Sequence, residues 1–122
     1  MDDTGTGHGD SLHDLTVLLR AFAHARDWEQ YHTPKNLAMA LAGEAGELVA
    51  CFQWLTPDES AHVMDDPGTA EAVEFELADV LQYLVRLADV LGVDLAEAVR
   101  KKARLNEARF PPAPGTPGHA AG

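Results

Sequence analysis

Apolar residues recur every three or four positions along most of the chain, and no stretch alternates between apolar and polar positions as a strand would. The first apolar stripe consists of Leu12, Leu15, Leu18, Leu19 and Phe22. This spacing places apolar side chains on one face of a helix, whereas a half-buried strand needs a period of two. The pattern therefore predicts an all-α fold.

Helix start and stop signals divide this pattern into four main helices. The predicted N-terminal residues are Ser11, Thr33, Thr69 and Asp94. Each carries a side-chain oxygen that can accept a hydrogen bond from the backbone of the first turn. We expect the second helix to run to about Trp54 and the fourth to about Ala108, and Gly92 suits the left-handed residue that ends the third.

The connection between the second and third main helices carries two further signals. Thr56 to Glu59 repeats the pattern of a helix start, so a short extra helix is expected there. Pro67-Gly68 is typical of a turn. The predicted architecture is a four-helix bundle with one short additional helix.

The length of 122 residues corresponds to one domain. We expect residues 1–10 to be disordered, residues 11–110 to form the domain, and the Pro/Gly-rich residues 111–122 to be a disordered tail. Cys51 is the single cysteine, so the sequence offers no internal disulfide and no cysteine-based zinc site.

The net charge of −11 argues against a nucleic-acid polymer as partner, because phosphate backbones are bound by basic surfaces. It does not argue against a small polyphosphate held through divalent metal ions. No apolar run is long enough for a membrane span, so no membrane association is expected. The acidic, Gly-rich start does not resemble a signal peptide, which favours a cytoplasmic location.

Two acidic pairs lie within otherwise apolar helical segments. Glu44 precedes Glu47 by three residues, and Glu76 precedes Asp79 by the same spacing. Residues three apart share one face of a helix, so each pair points two carboxylates the same way. Carboxylates on an inward face need a cation or hydrogen bonds to offset their desolvation. Four converging carboxylates would suit Mg²⁺, with Mn²⁺ as a substitute.

The fourth helix ends in cationic and polar residues. Lys102, Asn106 and Arg109 continue its apolar stripe at helical spacing, which could deliver cations to a phosphate. The alternative is that Lys102 and Arg109 only complement the negative end of the helix dipole.

Taken in order, these segments resemble the MazG-like all-α nucleoside triphosphate pyrophosphohydrolases, most closely their dCTP pyrophosphatase branch. The likeness covers residues 12 to 111. The matching segments are Arg26 to His32, Pro34 to Leu37, Gly43 to Leu48, Phe52 to Trp54, Glu76 to Leu81 with Tyr83-Leu84, Val93 to Leu95, and Lys102, Asn106 and Arg109 to Pro111. A single acidic pair would be a weak signal, whereas the ordered set is specific.

The resemblance implies Mg²⁺-dependent hydrolysis of a nucleoside triphosphate between its α and β phosphates, with dCTP or a modified dCTP as substrate. It implies that Glu44, Glu47, Glu76 and Asp79 are metal ligands and catalytic residues. It also implies a homotetramer or homodimer with its pockets near subunit contacts. The implied substrate-binding residues are Trp28, His32, Lys35, Trp54, Tyr83, Lys102, Asn106 and Arg109.

Two departures leave the base preference open. The dCTP branch often has His where this chain has Leu19, and Ser where it has Ala78. Two other functions remain as alternatives. One is a non-catalytic nucleotide-binding or oligomerisation module, although all four acids are present. The other is a di-iron carboxylate bundle, which would need Glu-x-x-His motifs that neither acidic pair provides.

Overall fold

The computed structural model describes residues 11–115, and every regular element within that range is helical. The five α-helices are α1 (Ser11–Ala25), α2 (Pro34–Ala50), α3 (Pro57–Ser60), α4 (Pro67–Leu91) and α5 (Leu95–Arg109). Short 3₁₀ turns at Glu29–Tyr31 and Val63–Asp65 lie in two of the connections. The predicted all-α class and the short helix between the second and third main helices are confirmed. The expectations for residues 1–10 and for 116–122 lie outside the described residues.

Side-chain caps set most of the helix starts. The Thr33 hydroxyl accepts a hydrogen bond from the Asn36 backbone N–H, and Pro34 occupies the first helical position. Thr56 and Glu59 form a reciprocal capping box at α3. Asp94 accepts from the backbone N–H of Glu97 at α5.

Two boundaries differ from the sequence-based expectation. Helix α2 ends at Ala50 instead of near Trp54, because the backbone tightens there into turns such as Phe52 N–H to Val49 C=O. Helix α4 begins at Pro67 instead of Thr69, so Pro67-Gly68 is a first helical turn and not a separate turn. Asp66 accepts hydrogen bonds from the backbone N–H groups of Gly68 and Thr69, and Pro67 takes the first helical position.

Helices α1 and α4 both end in a left-handed residue. At α4 this is Gly92, with φ of 72°, as its position in the sequence predicted. At α1 it is Asp27, with φ of 57°, a conformation that few residues other than glycine adopt readily. The Trp28 N–H bonds to the Ala23 carbonyl and the Asp27 N–H to the His24 carbonyl, which is the Schellman pattern. This turn fixes the position of Trp28.

Helix α4 is the centre of the fold. It packs extensively on α2 and less extensively on α1. The buried apolar side chains are few: Ala23, Leu37, Val73, Val85 and Ala88. The packing of α2 on α4 brings the two acidic helices side by side.

Helix α5 makes little contact with the other helices. Most of its residues are exposed, including Val99 and Leu105. Large apolar side chains are also exposed on α1, α2 and α4, among them Leu18, Met39 and Phe75. Apolar exposure on this scale is typical of surfaces that another chain covers. No helix within residues 11–115 is both long and apolar enough to cross a membrane.

Candidate active site

Three carboxylates converge where α2 and α4 pack. Glu44 comes from α2, and Glu76 and Asp79 come from consecutive turns of α4. One oxygen from each lies within 4.8 Å of the others, and all three residues are half-buried. This is a hard oxygen site of the kind that Mg²⁺ and Mn²⁺ occupy.

Glu76 is the least satisfied member of this triad. Its Oε1 atom is buried and has no hydrogen-bond partner among the described residues. Burial raises the pKa of Glu76 above its ordinary value, and the negative charges of Glu44 and Asp79 raise it further. A buried carboxylate oxygen without a partner, among mutually repelling carboxylates, is the arrangement that a divalent cation would relieve, so the residues present fit the implied metal.

Glu47 occupies a different position from the other three acids. It is exposed on α2, and its carboxylate is not part of the three-residue cluster. Its charge nevertheless contributes to the raised pKa of Glu76, so it lies within electrostatic reach of the cluster. Its role as a metal ligand stays a prediction.

A small pocket of about 80 Å³ lies between α1 and α4. Two aromatic rings, Trp28 and Tyr83, form part of its wall, together with His32. The sequence had assigned all three to substrate binding, and the structure brings them together. The full lining is Leu19, Phe22, Ala23, Trp28, His32, Gln82, Tyr83 and Arg86.

The pocket and the acidic triad share one face of α4. Tyr83 follows Asp79 by four residues and Arg86 follows it by seven, so both lie on nearly the same side of the helix. At a rise of 1.5 Å per residue, Asp79 and Arg86 are about 10 Å apart along the axis. The metal site and the pocket are therefore neighbours along a single rigid element.

Trp28 is held at the pocket by aromatic contacts. Its ring meets Phe22 edge to face, with 5.5 Å between centroids, and it lies 6.2 Å from the His32 ring. Arg26 covers the Phe22 ring, with its guanidinium carbon 3.5 Å from the centroid. These contacts leave Trp28 partly exposed beside the opening, where its face can meet a planar ligand.

A polar network extends from two of the pocket residues, Arg86 and His32. Arg86 is only 7 % exposed; its Nε donates to His32 Nδ1 at 3.3 Å, and its Nη1 donates to Asp89 Oδ2 at 2.9 Å. Asp89 also accepts two hydrogen bonds from Arg20, which hold the pKa of Asp89 below its ordinary value. Burial and then the Arg86 charge lower the pKa of His32. Both effects favour the neutral imidazole, and since Nδ1 accepts from Arg86, the proton of that form is on Nε2.

The structure leaves the remaining predicted binding residues away from this pocket. Trp54 is 86 % exposed in the turns after α2 and does not line it. Lys35 is exposed in the first turn of α2. Lys102, Asn106 and Arg109 lie on α5, which makes little contact with α2 or α4, and Arg109 lies over the Phe110 ring. The substrate roles of all five stay predictions.

Sequence reasoning missed Arg86 and Gln82 as pocket residues. Arg86 carried a usable signal, because it is the only charged residue between Asp79 and Asp89 on α4. A lone arginine within an apolar helical segment, seven residues after a metal-ligand candidate, indicates a buried functional cation.

Comparison with known proteins agrees with this arrangement. A model of the MazG-like family matches residues 40–113. The chain is 46 % identical to dCTP pyrophosphatase 1 of Homo sapiens over 101 residues, which is 83 % of this chain and 59 % of that protein. It spans about three fifths of the length of the mammalian relatives that it matches.

A viral relative and a solved structure extend the comparison. The chain is 33 % identical to the dATP/dGTP diphosphohydrolase of Cyanophage S-2L, over 79 % of this chain and 73 % of that protein. The crystal structure of a pyrophosphatase from Archaeoglobus fulgidus superposes with a TM-score of 0.76 at 39 % identity, covering 92 % of this chain and all of the other. The acidic triad, the helical fold and these matches together show that the chain belongs to the MazG-like family.

Proposed function

We propose that this chain is a Mg²⁺-dependent nucleoside triphosphate pyrophosphohydrolase. It cleaves the α–β phosphate bond of a deoxynucleoside triphosphate, dCTP or a modified dCTP, to give the monophosphate and pyrophosphate. The observation that supports this most is the buried, unpartnered Oε1 of Glu76 within a triad of carboxylates, one helical turn from an aromatic pocket. The names of the mammalian relatives point to the same activity.

Glu44, Glu76 and Asp79 would hold the metal ion, with Glu47 as a further ligand or as a group that receives a proton from water. When bound, Mg²⁺ neutralises phosphate charge, polarises the reacting phosphorus and lowers the pKa of bound water. The protein's part is placement, because the triad lies on two packed helices and the pocket fixes the nucleoside end of the same substrate. Mn²⁺ should replace Mg²⁺, since it accepts similar oxygen ligands.

The pocket would bind the base. Trp28 offers a ring face for stacking, and Tyr83 lies between the pocket and the triad, where a sugar would pass. Lys35, Lys102 and Arg109 are the cations available for the phosphates, with Asn106 as polar support and Trp54 as a second aromatic wall.

These last residues do not line the pocket of the single chain, and we propose a homotetramer or homodimer in which assembly brings them to a site. Twenty large hydrophobic side chains are exposed within the described residues, whereas only five apolar residues are buried there. Helix α5 presents Val99 and Leu105 to solvent while carrying Lys102 and Arg109. Packing α5 into a core shared between chains would bury Val99 and Leu105 and bring Lys102 and Arg109 toward an acidic triad.

Pyrophosphate release from dCTP, measured with Mg²⁺, with Mn²⁺ and with EDTA, tests the proposal. Equal amounts of monophosphate and pyrophosphate are expected with either metal, and none with EDTA. Glu76→Gln should lower kcat at least a hundredfold, because it removes a ligand charge from the triad. Glu74→Gln is the matched control, since Glu74 is exposed two residues earlier on α4 and points about 200° away around the helix.

Two results would contradict this function. Release of diphosphate and orthophosphate would place the cleaved bond at the γ phosphate. Binding of nucleotide with no turnover at saturating Mg²⁺, by an assembled and folded protein, would favour a non-catalytic module.

A further inference from the structure

Arg86 is more buried than any other charged residue in residues 11–115, and its hydrogen bonds do not use all its donors. The side chain is 8 % exposed and lines the pocket. Nε and one N–H of Nη1 are used by His32 and Asp89. Nη2 has no hydrogen-bond partner among the described residues. A guanidinium has five N–H donors, so three remain available at the pocket.

Arg86 shares its carboxylate partner with a second arginine. Asp89 is the one carboxylate that contacts Arg86, and it is shared with Arg20, which binds it through two hydrogen bonds. His32 contributes no negative charge, since it is neutral and accepts through Nδ1. Arg86 therefore keeps a positive charge and free N–H groups at the pocket, which a ligand with acceptor atoms could pair.

The position of these donors is fixed before a ligand binds. Asp89 lies three residues after Arg86 on the same helix and accepts a hydrogen bond from Nη1. His32, in the segment before α2, accepts a hydrogen bond from Nε. Two contacts on different nitrogens fix the plane of the guanidinium. A planar fork held in this way favours a partner with two adjacent acceptors in one plane.

We infer that Arg86 is a specificity-determining residue that reads the base, donating to the adjacent N3 and O2 acceptors of cytosine. This inference rests on the proposed function for the identity of the ligand as a nucleotide. Thymine and uracil place an N3–H donor beside O2, which would face the guanidinium N–H groups and leave a buried donor unpaired. Gln82, on the same wall, offers an amide oxygen to the cytosine amino group.

The pocket size supports a pyrimidine. Guanine also presents two adjacent acceptors, O6 and N7, to an arginine fork. The pocket holds about 80 Å³, which is less than the volume, about 150 Å³, of an engineered cavity that binds benzene. One six-membered ring would fill it and extend to the opening beside Trp28, and a purine would extend further out of it.

The same argument accounts for Leu19. An apolar residue on the pocket wall cannot read a base edge, so the sequence alone left the base preference open. Arg86 supplies donors from the opposite wall, on α4 instead of α1. Selectivity for cytosine can therefore exist without a polar residue at position 19.

The test compares dCTP with dTTP for the full chain and for Arg86→Met. For Arg86→Met we expect the ratio of kcat/KM for dCTP to kcat/KM for dTTP to fall at least tenfold. The fall should come from a lower kcat/KM for dCTP, with kcat/KM for dTTP unchanged. Arg104→Met is the control, because Arg104 is an exposed arginine of α5 and is not part of the pocket. Arg86→Lys keeps the charge but not the planar fork, so it should retain the fold and show an intermediate loss of the ratio.

Calorimetric binding of dCMP and dTMP separates this inference from the proposed function, since it needs no turnover. If wild-type protein binds dCMP more tightly, Arg86→Met removes the preference and Arg86→Lys reduces it, the inference stands even when no pyrophosphate is released. An unchanged dCTP to dTTP ratio in folded Arg86→Lys or Arg86→Met would overturn it. So would a wild-type protein that prefers thymine or a purine.

Discussion

Replacing Leu37 with alanine would test the contact that holds the two acidic helices together. Leu37 is 1 % exposed and is the only buried residue of α2, which packs mainly on α4. It lies two helical turns before Glu44 on the same side of α2. Removing a buried leucine side chain typically costs about 2–5 kcal/mol, part of it from the cavity that remains.

The small core favours the lower half of that range. Only five apolar residues are buried in residues 11–115, so the neighbours of Leu37 are free to relax into the space. We therefore expect a loss of about 3 kcal/mol, which lowers the melting temperature by at least about 10 °C for a domain of this size. Looser packing of α2 on α4 should also weaken Mg²⁺ binding, because Glu44 would no longer be held against Glu76 and Asp79.

Urea denaturation of Leu37→Ala, at fixed protein and Mg²⁺ concentrations, measures the first effect. Met39→Ala is the matched control, since Met39 is 63 % exposed on the same helix. Its loss of stability should stay below about 1 kcal/mol. Equal losses in the two variants would refute the packing described for α2. If Leu37→Ala showed the expected loss of stability but bound Mg²⁺ with unchanged affinity, the link from that packing to the metal site would be refuted.

Three further predictions concern the site and its assembly. In the metal-free chain the pKa of Glu76 is raised above its ordinary value of 4.5, so the folded state holds this proton more tightly than the unfolded state. The resulting stabilisation is fully present below pH 4.5 and is lost as the pH rises through the raised pKa. Urea midpoints in EDTA should therefore fall with pH more for wild type than for Glu76→Gln, and Mg²⁺ should restore more stability at higher pH; parallel pH profiles would contradict this. Trp28→Ala should weaken nucleotide binding by about 1–3 kcal/mol, roughly 5- to 150-fold, because it removes a stacking face; an unchanged KM for dCTP would place Trp28 outside the base pocket. Val99→Glu should reduce the mass measured by light scattering and lower activity with it; an intact oligomer would exclude this face of α5 from the interface.

The sequence was sufficient to predict the helices because their signals are local. Thr33 before Pro34 and the Thr56–Glu59 capping box each involve residues within one turn, and the structure forms both as expected. The acidic pair on α4 was also readable, since helical spacing alone puts Glu76 and Asp79 on one face. Their meeting with Glu44 needed only that α2 and α4 pack side by side.

Features that depend on tertiary packing could not be predicted from local sequence signals. Asp27 adopts a left-handed conformation that sequence rules assign first to glycine, so the exact placement of Trp28 was not foreseen. Arg86 was overlooked because its partners, His32 and Asp89, are brought to it by two different segments of chain. The fourth main helix was expected within the bundle, and its spacing alone did not show that it makes much less contact with the other helices than α2 makes with α4.

Helix α4 carries the proposed metal ligands at one end of a face and pocket residues further along it, so the number of residues between them sets the distance that a bound substrate has to span. If Arg86 reads the base as proposed, substitutions at Gln82 or Arg86 would change the base preference and leave Glu76 and Asp79 where they are. Inserting one residue between Asp79 and Tyr83 would instead rotate the pocket residues by about 100° away from the acids. On this reasoning a point substitution on α4 is enough to alter base preference, whereas a change in the number of residues between Asp79 and Tyr83 would separate the pocket from the acids.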